Sequence, residues 1–366
     1  MTTPLTLDDL CGRVAAAAET GTSLRLRGHG SKDFYGGPLC GEVLALADYR
    51  GVVAYEPTEL YVTARCGTPL AELEALLAEH GQMLAFEPPG FAGAGTVGAS
   101  VGGCVAAGLA GPRRQQAGSV RDFVLGVRMI DGRGQALAFG GQVMKNVAGY
   151  DVSRLLAGSM GTLGVIAEVS LKVLPRPVAE ATLVFDLSQE EAIASLNRWG
   201  GEPLPLSASF WHDGRLTLRL SGAEAAVKAA ATRLGGEGLA DAGAFWRSVR
   251  EQQHGAFRAP VLWRLALPTA TPAELLGALP APVAVEWGGG LRWLAGGLDD
   301  FDAYGVRQAV TAAGGYATLY RAPESLRCRE DAFTPLPPAM LALHRRLKRA
   351  FDPKGIFNPG RLYAEL

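Results

Sequence analysis

Cysteine is scarce and unpatterned in this chain. The 366 residues hold five (Cys11, Cys40, Cys66, Cys104, Cys328), an odd number with no CxxC. That spacing argues against a disulfide frame, a zinc site or an iron–sulfur centre of the chain's own, and suits a reducing compartment. No sign of charge dominates: 35 basic residues face 36 acidic ones, a net charge of −1, so there is no electrostatic case for nucleic acid. The opening residues MTTPLTLDDLCGRV place acids where a secretory signal needs bases, and a cytoplasmic protein is expected. A membrane span is also missing. The charge-free stretch 88–112 is long enough, but eight of its residues are glycine and few are large and apolar, whereas a span needs about 20 predominantly apolar residues.

Glycine, by contrast, is abundant. There are 48 against a usual share of about 7%, clustered at a few sites. The stretch PPGFAGAGTVGASVGGCVAAGLAGP fits three patterns. As a dinucleotide fingerprint (Gly93, Gly95, Gly98) it lacks the preceding strand, because Pro88-Pro89 cannot sit in a central one. As a nucleophile elbow around Ser100 it again lacks the strand, and Ser100 reads as a small helix residue. As a GxxxG membrane motif it fails on content. What remains is a short helix carrying Val97, Val101, Val105 and Leu109 at intervals of four, capped by Thr96, with glycines that let backbone N–H groups approach an anion.

The length and the 48% hydrophobic content allow two or three domains. A helix is expected over 6–19, with Thr6 and Asp9 as a capping pair and Gly21 as stop. Strands follow near 23–27, 51–56 and 60–65, then a helix over 69–80 with Thr68 as cap. Residues 123–141 read as a hairpin turning at DGRG. Residues 165–174 alternate as a half-buried strand, with Glu168, Ser170 and Lys172 on the outer face. PRP at 175–177 reads as a boundary. Residues 181–320 repeat weakly: strand, helix (capping box Ser188/Glu191), hairpin at Asp213-Gly214 and helix, then strand, helix (272–279), hairpin at Gly288–Gly290, helix and strand. Strand–helix–strand–strand–helix is the ferredoxin-like unit. A C-terminal helix over 337–350 leads to FDPKGIFNPGRLY.

Two further loops share the glycine-rich character: RGHGS (27–31) after a strand, and GSMGTLG (158–164) before one. Three such segments in one region point to one large phosphate-bearing ligand. The ordered set RGHGSKDFYG, EPPGFAGAGTVGASVGGCVAAGLAGP, GSVRDFVLGVRMIDGRG and KNVAGYDVSRLLAGSMGTLGVIAEVSLKVLPRP resembles the vanillyl-alcohol-oxidase (PCMH-type) FAD-binding flavoproteins. The run KNVAGYD…LLAGSMGTLG and the late GGYATLYRAP look most like FAD-binding subunits of glycolate oxidase, the GlcE type.

The resemblance implies an α+β fold. A two-subdomain PCMH-type FAD-binding domain (1–177) is joined to an α+β cap domain of ferredoxin-like units (178–325), and a C-terminal segment (326–366) returns to the FAD domain. It implies that Arg27, Gly28, His29, Gly30 and Ser31 form the pyrophosphate loop. Thr96, Val97, Gly98 and Gly102 approach pyrophosphate and flavin, with Pro88 and Gly95 shaping the turn. Gly118 and Asp122 match a second segment, and Lys145, Gly149, Tyr150 and Asp151 a third. Gly158, Ser159, Gly161, Thr162, Gly164 and Val165 match the next loop and strand, and Asn358 closes the site near the isoalloxazine. Some relatives hold FAD through a histidine of the first loop. Here Ser31 takes that position, so non-covalent FAD is expected, and no metal.

The resemblance further implies an FAD-dependent oxidoreductase acting in glycolate catabolism as part of a multi-subunit glycolate (2-hydroxy acid) dehydrogenase. Its partners are a second FAD-containing catalytic subunit, which carries an HxGDGN cluster absent here, and an iron–sulfur subunit that passes electrons to quinone. Those partners would tie the chain to the inner membrane. A self-sufficient FAD oxidoreductase and a structural subunit with an empty flavin site stay open as alternatives. No catalytic residue is assigned. Arg321, in TLYRAP, is the candidate for meeting a substrate carboxylate, and an ordinary ion pair is its bland alternative.

Overall fold

A computed structural model describes residues 5–93, 97–141, 151–274, 279–280 and 282–366. The chain divides into two compact units. The first comprises Met1–Ala110, Ser119–Pro175 and Pro335–Leu366, and the second Gly111–Gly118 and Arg176–Thr334.

The first unit opens with a helix, Leu7–Thr20. Thr6 accepts from Asp9 N and Asp9 accepts from Thr6 N, a complete capping box, and Gly21 ends the helix in the left-handed region. Its buried Leu10 and Val14 pack on Leu24, Leu44, Val165, Ile356 and Phe357, each worth about 1.5–3 kcal/mol on burial. Strands β1 (Leu24–Arg27) and β2 (Glu42–Ala45) pair in parallel. Then come β3 (Val52–Glu56), β4 (Tyr61–Arg65), β5 (Gln82–Met83), β6 (Val124–Ile130), β7 (Ala136–Gly140), β8 (Val165–Lys172) and β9 (Leu174–Pro175). Among the described residues they form a five-stranded sheet ordered β3-β4-β8-β6-β7, with β5 pairing β9 apart from it.

The expected hairpin is β6–β7, closing Ile130 against Ala136. The outer face read for β8 holds at Glu168 and Lys172, which stay half-buried, and is corrected at Ser170. The strand lies between β4 and β6, so Ile166 and Ser170 are buried too, and Ser170 Oγ meets Thr63 Oγ1 at 2.8 Å. The helix Leu70–Glu79 lacks the expected Thr68 cap. Thr68 Oγ1 instead accepts from Gly51 N at 2.9 Å, which pins a neighbouring loop.

In the second unit follow β10 (Ala179–Asp186), β11 (Leu206–His212), β12 (Arg215–Gly222), β13 (Glu237–Gly238), β14 (Val261–Ala266), β15 (Ala284–Glu286), β16 (Leu291–Gly296) and β17 (Tyr316–Arg321). Among the described residues they make one eight-stranded antiparallel sheet, β13-β10-β12-β11-β15-β16-β14-β17. Each half has the ferredoxin-like order, 4-1-3-2 and then 2-3-1-4, and the halves join where β11 meets β15. The capping box Ser188/Glu191 opens the helix Gln189–Gly200. Leu183, Leu196, Leu216, Leu218 and Val227 fill one half-core, and Trp263, Leu294, Val306 and Leu319 the other. Residues 275–278 of the helix expected over 272–279 lie outside the described residues.

Candidate functional site

Strand β1 ends at Arg27 and the chain turns into the wall of a cleft of about 770 Å³ in the first unit. The turn works because its glycines remove side chains. A Cβ on Gly28 would lie 2.2 Å from Ser100 Oγ, and Gly30 has φ +76° with Arg27 against it. Asp33 holds the loop from below, pairing with Arg25 at 2.5 Å and Arg27 at 3.4 Å.

The opposite wall is the helix Val101–Ala107. Its cap is Ser100, whose side chain accepts from Gly103 N at 3.3 Å. This corrects the Thr96-capped helix. Gly98 at φ +75° stops helical geometry from reaching further back, Val97 is 59% exposed rather than an anchor, and Thr96 lies outside the described residues. Gly102 presses this helix onto the backbone at Cys66, where a Cβ would lie 2.5 Å from Cys66 Cβ. Burial pushes the Cys66 thiol up to about 12, so it is no nucleophile at neutral pH.

The end of the sequence completes the cleft. Asn358 Oδ1 accepts from Leu26 N at 2.8 Å and its Nδ2 donates to Met160 O at 2.7 Å. The side chain expected near a flavin thus stitches β1 to the 158–164 loop. Arg361 is buried and donates to Gly37 O, to Lys32 O at 3.0 Å and to Asp33 O at 3.3 Å. The sequence alone assigns Arg361 no role, although it lies within FDPKGIFNPGRLY.

Arg27, Gly28, His29, Gly30, Ser31, Gly102, Gly161, Gly164 and Asn358 therefore come together in this cleft. Asp151, Gly158, Ser159 and Thr162 do not. They line a second cavity, of about 880 Å³, on the other side of the 158–164 loop. Asp151 caps the helix Val152–Leu155 and pairs with Arg154 at 3.2 Å. Thr162 Oγ1 donates to Ser159 O at 2.7 Å. Lys348, buried and also unforeseen, donates to Thr162 O, Asp352 Oδ2 and Phe357 O at 2.7–2.8 Å. Burial lowers its pKa, and Asp352 opposes that shift.

Pro88 is buried, and Val165 belongs to the core of the first unit. Asp122 caps its own short helix through Ser119. Gly118 lies in the second unit's segment. Gly95, Lys145, Gly149 and Tyr150 lie outside the described residues. In the second unit, Arg321 donates to Phe257 O at 3.1 Å and Gln252 Oε1 at 3.2 Å, a brace between elements.

The cleft suits a long, phosphate-bearing cofactor. Its walls are backbone and small side chains where a Cβ would intrude, Arg27 stands at its mouth, and the buried Nδ1 of His29 faces no hydrogen-bond partner. A buried nitrogen with no partner among the described residues costs about 1–3 kcal/mol if left unpaired, a cost that a bound polar group would remove.

Comparison with known proteins agrees with that chemistry. Residues 1–140 match the family model described as FAD binding domain, and 334–362 the one described as FAD linked oxidases, C-terminal domain. The glycolate oxidase subunit GlcE of Escherichia coli K12 is 47% identical over 98% of this chain and 97% of its own length. The glycolate oxidase subunit GlcD of Bacillus subtilis is 38% identical, over 23% of this chain and 18% of that protein. In fold, the chain is similar to an alkyldihydroxyacetonephosphate synthase, with a TM-score of 0.66 at 15% identity over 96% of this chain and 75% of the other. Among the described residues no helix is long and apolar enough to cross a membrane.

Proposed function

The chain belongs to the family of the glycolate oxidase subunit GlcE, within the FAD-linked oxidoreductases, and from that premise we propose that it is the FAD-binding subunit of a multi-subunit glycolate (2-hydroxy acid) oxidase. What carries the reading is the near end-to-end likeness to that subunit, in a chain with a cleft lined by glycine loops and Arg27.

When bound, FAD supplies the capacity to take up a hydride equivalent and release it as electrons. The chain's own residues bind and orient. The loop Arg27–Ser31 would present backbone N–H groups to the pyrophosphate, uncharged except for Arg27, while Val101 N, Gly102 N and Gly103 N already donate to Thr68 O, Cys66 O and Ser100 Oγ. Asn358 ties β1 to the 158–164 loop, and Arg361 holds the segment 32–37. Ser31 offers no ring nitrogen for a covalent link, so the FAD is held non-covalently. The 2-hydroxy acid is oxidised on a partner flavoprotein subunit. This chain relays electrons toward an iron–sulfur subunit and quinone, and meets the inner membrane through those partners.

The test is the visible spectrum of the purified chain before and after acid precipitation. Flavin bands near ~450 nm that move to the supernatant are expected. A colourless chain that stays so with added FAD refutes the cofactor assignment. Glycolate turnover by the chain alone refutes the subunit role in favour of a self-sufficient oxidoreductase.

A further inference from the structure

In the second unit, Arg264 of β14 is half-buried and lies directly across from Trp293 of β16 and from Thr318 of β17. Directly opposed residues share a face of a sheet. That face is turned away from the half-core, because Trp263 and Leu265, on either side of Arg264, belong to it. Other sheltered arginines of the unit are spent on acceptors. Arg292 donates to Thr271 O, Pro272 O and Gly289 O, and Arg219 to Ser207 Oγ. Arg264, among the described residues, makes no hydrogen bond and no ion pair. Its guanidinium carbon lies 4.9 Å over the Trp287 ring. That ring is held in place: Nε1 donates to Gly111 O at 3.1 Å and Arg114 stacks on it at 4.3 Å. The backbone of Trp287 stands at φ +53°, a strained conformation that costs about 1–3 kcal/mol. Glu286, whose carboxyl feels the charge of Arg264, accepts instead from Trp293 Nε1 at 2.7 Å. Burial pushes it up to about 7, so it brings only part of a negative charge at neutral pH. Thr318 is 3% exposed, and its hydroxyl makes no hydrogen bond among the described residues.

We infer that Arg264 and Thr318 form a binding site for a small 2-hydroxy acid, the guanidinium taking the carboxylate and the threonine hydroxyl meeting the oxygen on the next carbon. Three features select this occupant. A guanidinium lying over an indole uses its flat face there, which leaves the N–H edge for the paired donors a carboxylate accepts. A carboxylate alone satisfies the arginine and leaves the buried hydroxyl bare. An oxygen one carbon away reaches it, since opposed Cβ atoms in a sheet stand about 4.5–5.5 Å apart. Aspartate and glutamate side chains of a protein partner carry no oxygen at that position, and only a small group reaches a hydroxyl so little exposed. The inference concerns binding alone and stands apart from the cofactor. A chain without flavin could hold the acid, and a chain loaded with flavin could fail to.

The test is calorimetric titration of the full purified chain with glycolate, acetate and inorganic phosphate. Glycolate should bind with a dissociation constant of about 1 mM or below, and about three- to tenfold more tightly than acetate, which lacks the second oxygen. Arg264→Gln should weaken both by at least about tenfold. Thr318→Val keeps the shape of the side chain and removes only the hydroxyl. It should leave acetate binding at the wild-type level and bring glycolate down to it, a change of preference that a merely structural role for Thr318 would not produce. Unchanged melting temperatures show that both variants fold, and if Arg264→Gln does not, the Thr318→Val ratio still decides. Four results overturn the inference: a wild-type chain that takes up no glycolate at about 10 mM, where a site of that affinity is nearly full; glycolate binding that survives Arg264→Gln; a glycolate-to-acetate ratio that Thr318→Val leaves as it was; or phosphate bound as tightly as glycolate, which marks a general anion site. None of them touches the assignment of the cofactor cleft.

Discussion

Replacing Gly28 with alanine puts the cofactor assignment at risk in the most direct way. The new Cβ would sit 2.2 Å from Ser100 Oγ and 3.1 Å from Ser100 Cβ, where unstrained carbon contacts are about 3.5–4.0 Å. Relief takes one of two routes. The loop after β1 backs away from the helix Val101–Ala107 by more than about 1 Å, a shift of the overpacking kind that costs about 1–3 kcal/mol. Alternatively Ser100 turns aside and gives up its hydrogen bond from Gly103 N, a cap worth about 1 kcal/mol. Either way the two walls that would close on the pyrophosphate lose their spacing. At 1.4 kcal/mol per decade, the expected loss in FAD affinity is about 5- to 150-fold. The assay is quenching of flavin fluorescence on titrating the apoprotein, with thermal unfolding of the same apoprotein run alongside to separate a folding cost from a binding cost. Adding Ser100→Gly removes both clashing atoms and should restore most of the affinity. A Gly28→Ala chain that binds FAD as the wild type does, or a double variant no better than the single one, refutes the placement of the cofactor between these walls.

Other outcomes follow from the same geometry. Asn358→Ala forfeits hydrogen bonds to Leu26 N and Met160 O and leaves alanine at φ +42°; a stability loss of about 2–3 kcal/mol and faster FAD release are expected, read from denaturant midpoints and dilution kinetics. Lys348→Met strands the fully enclosed Asp352 carboxylate and should cost about 3–5 kcal/mol; the double variant Lys348→Met with Asp352→Asn should cost less than the two single losses added. Burial pushes the Glu286 carboxyl up to about 7, against the hydrogen bond from Trp293 and the charge of Arg264. A carboxyl raised on folding favours the folded state fully below its unfolded pKa near 4.5. That contribution, roughly 3 kcal/mol, disappears as pH rises toward and through 7. Melting temperatures between pH 4.5 and 8 should therefore fall more steeply with pH in the wild type than in Glu286→Gln, and parallel curves would contradict the assigned burial.

Features decided by a few neighbouring residues were legible in the sequence. The capping boxes at Thr6/Asp9 and Ser188/Glu191, the DGRG hairpin and the internal repeat all appear where the pattern put them, because each is a contest among adjacent backbone groups. Features decided across the chain were not. Alternation in 165–174 predicts one solvated face, but a central strand has neighbours on both sides, and Ser170 finds Thr63 rather than water. Thr68 is a plausible cap until Gly51 claims its hydroxyl. Ser100 rather than Thr96 begins the glycine-rich helix because of a backbone angle at Gly98 that composition does not reveal. The motif loops were found, yet which side of the 158–164 loop each residue faces depends on the sheet beneath it. Nothing in LKRAFDPKG marks Lys348 and Asp352 as buried, and only the folded chain shows them enclosed together.

The walls of the cofactor cleft come from opposite ends of the sequence. Leu26 is joined to Asn358 across 332 positions, and Gly37 to Arg361 across 324. During synthesis, the strand that starts the cradle emerges hundreds of residues before the segment that completes it. Domains normally fold as they emerge, but this one has to wait, with its first glycine loop unfastened, until the second unit has been made in between. Under the proposed placement of FAD, full-strength capture therefore waits for the segment that carries Asn358 and Arg361. Under that placement, yellow colour reports that synthesis has reached at least Arg361.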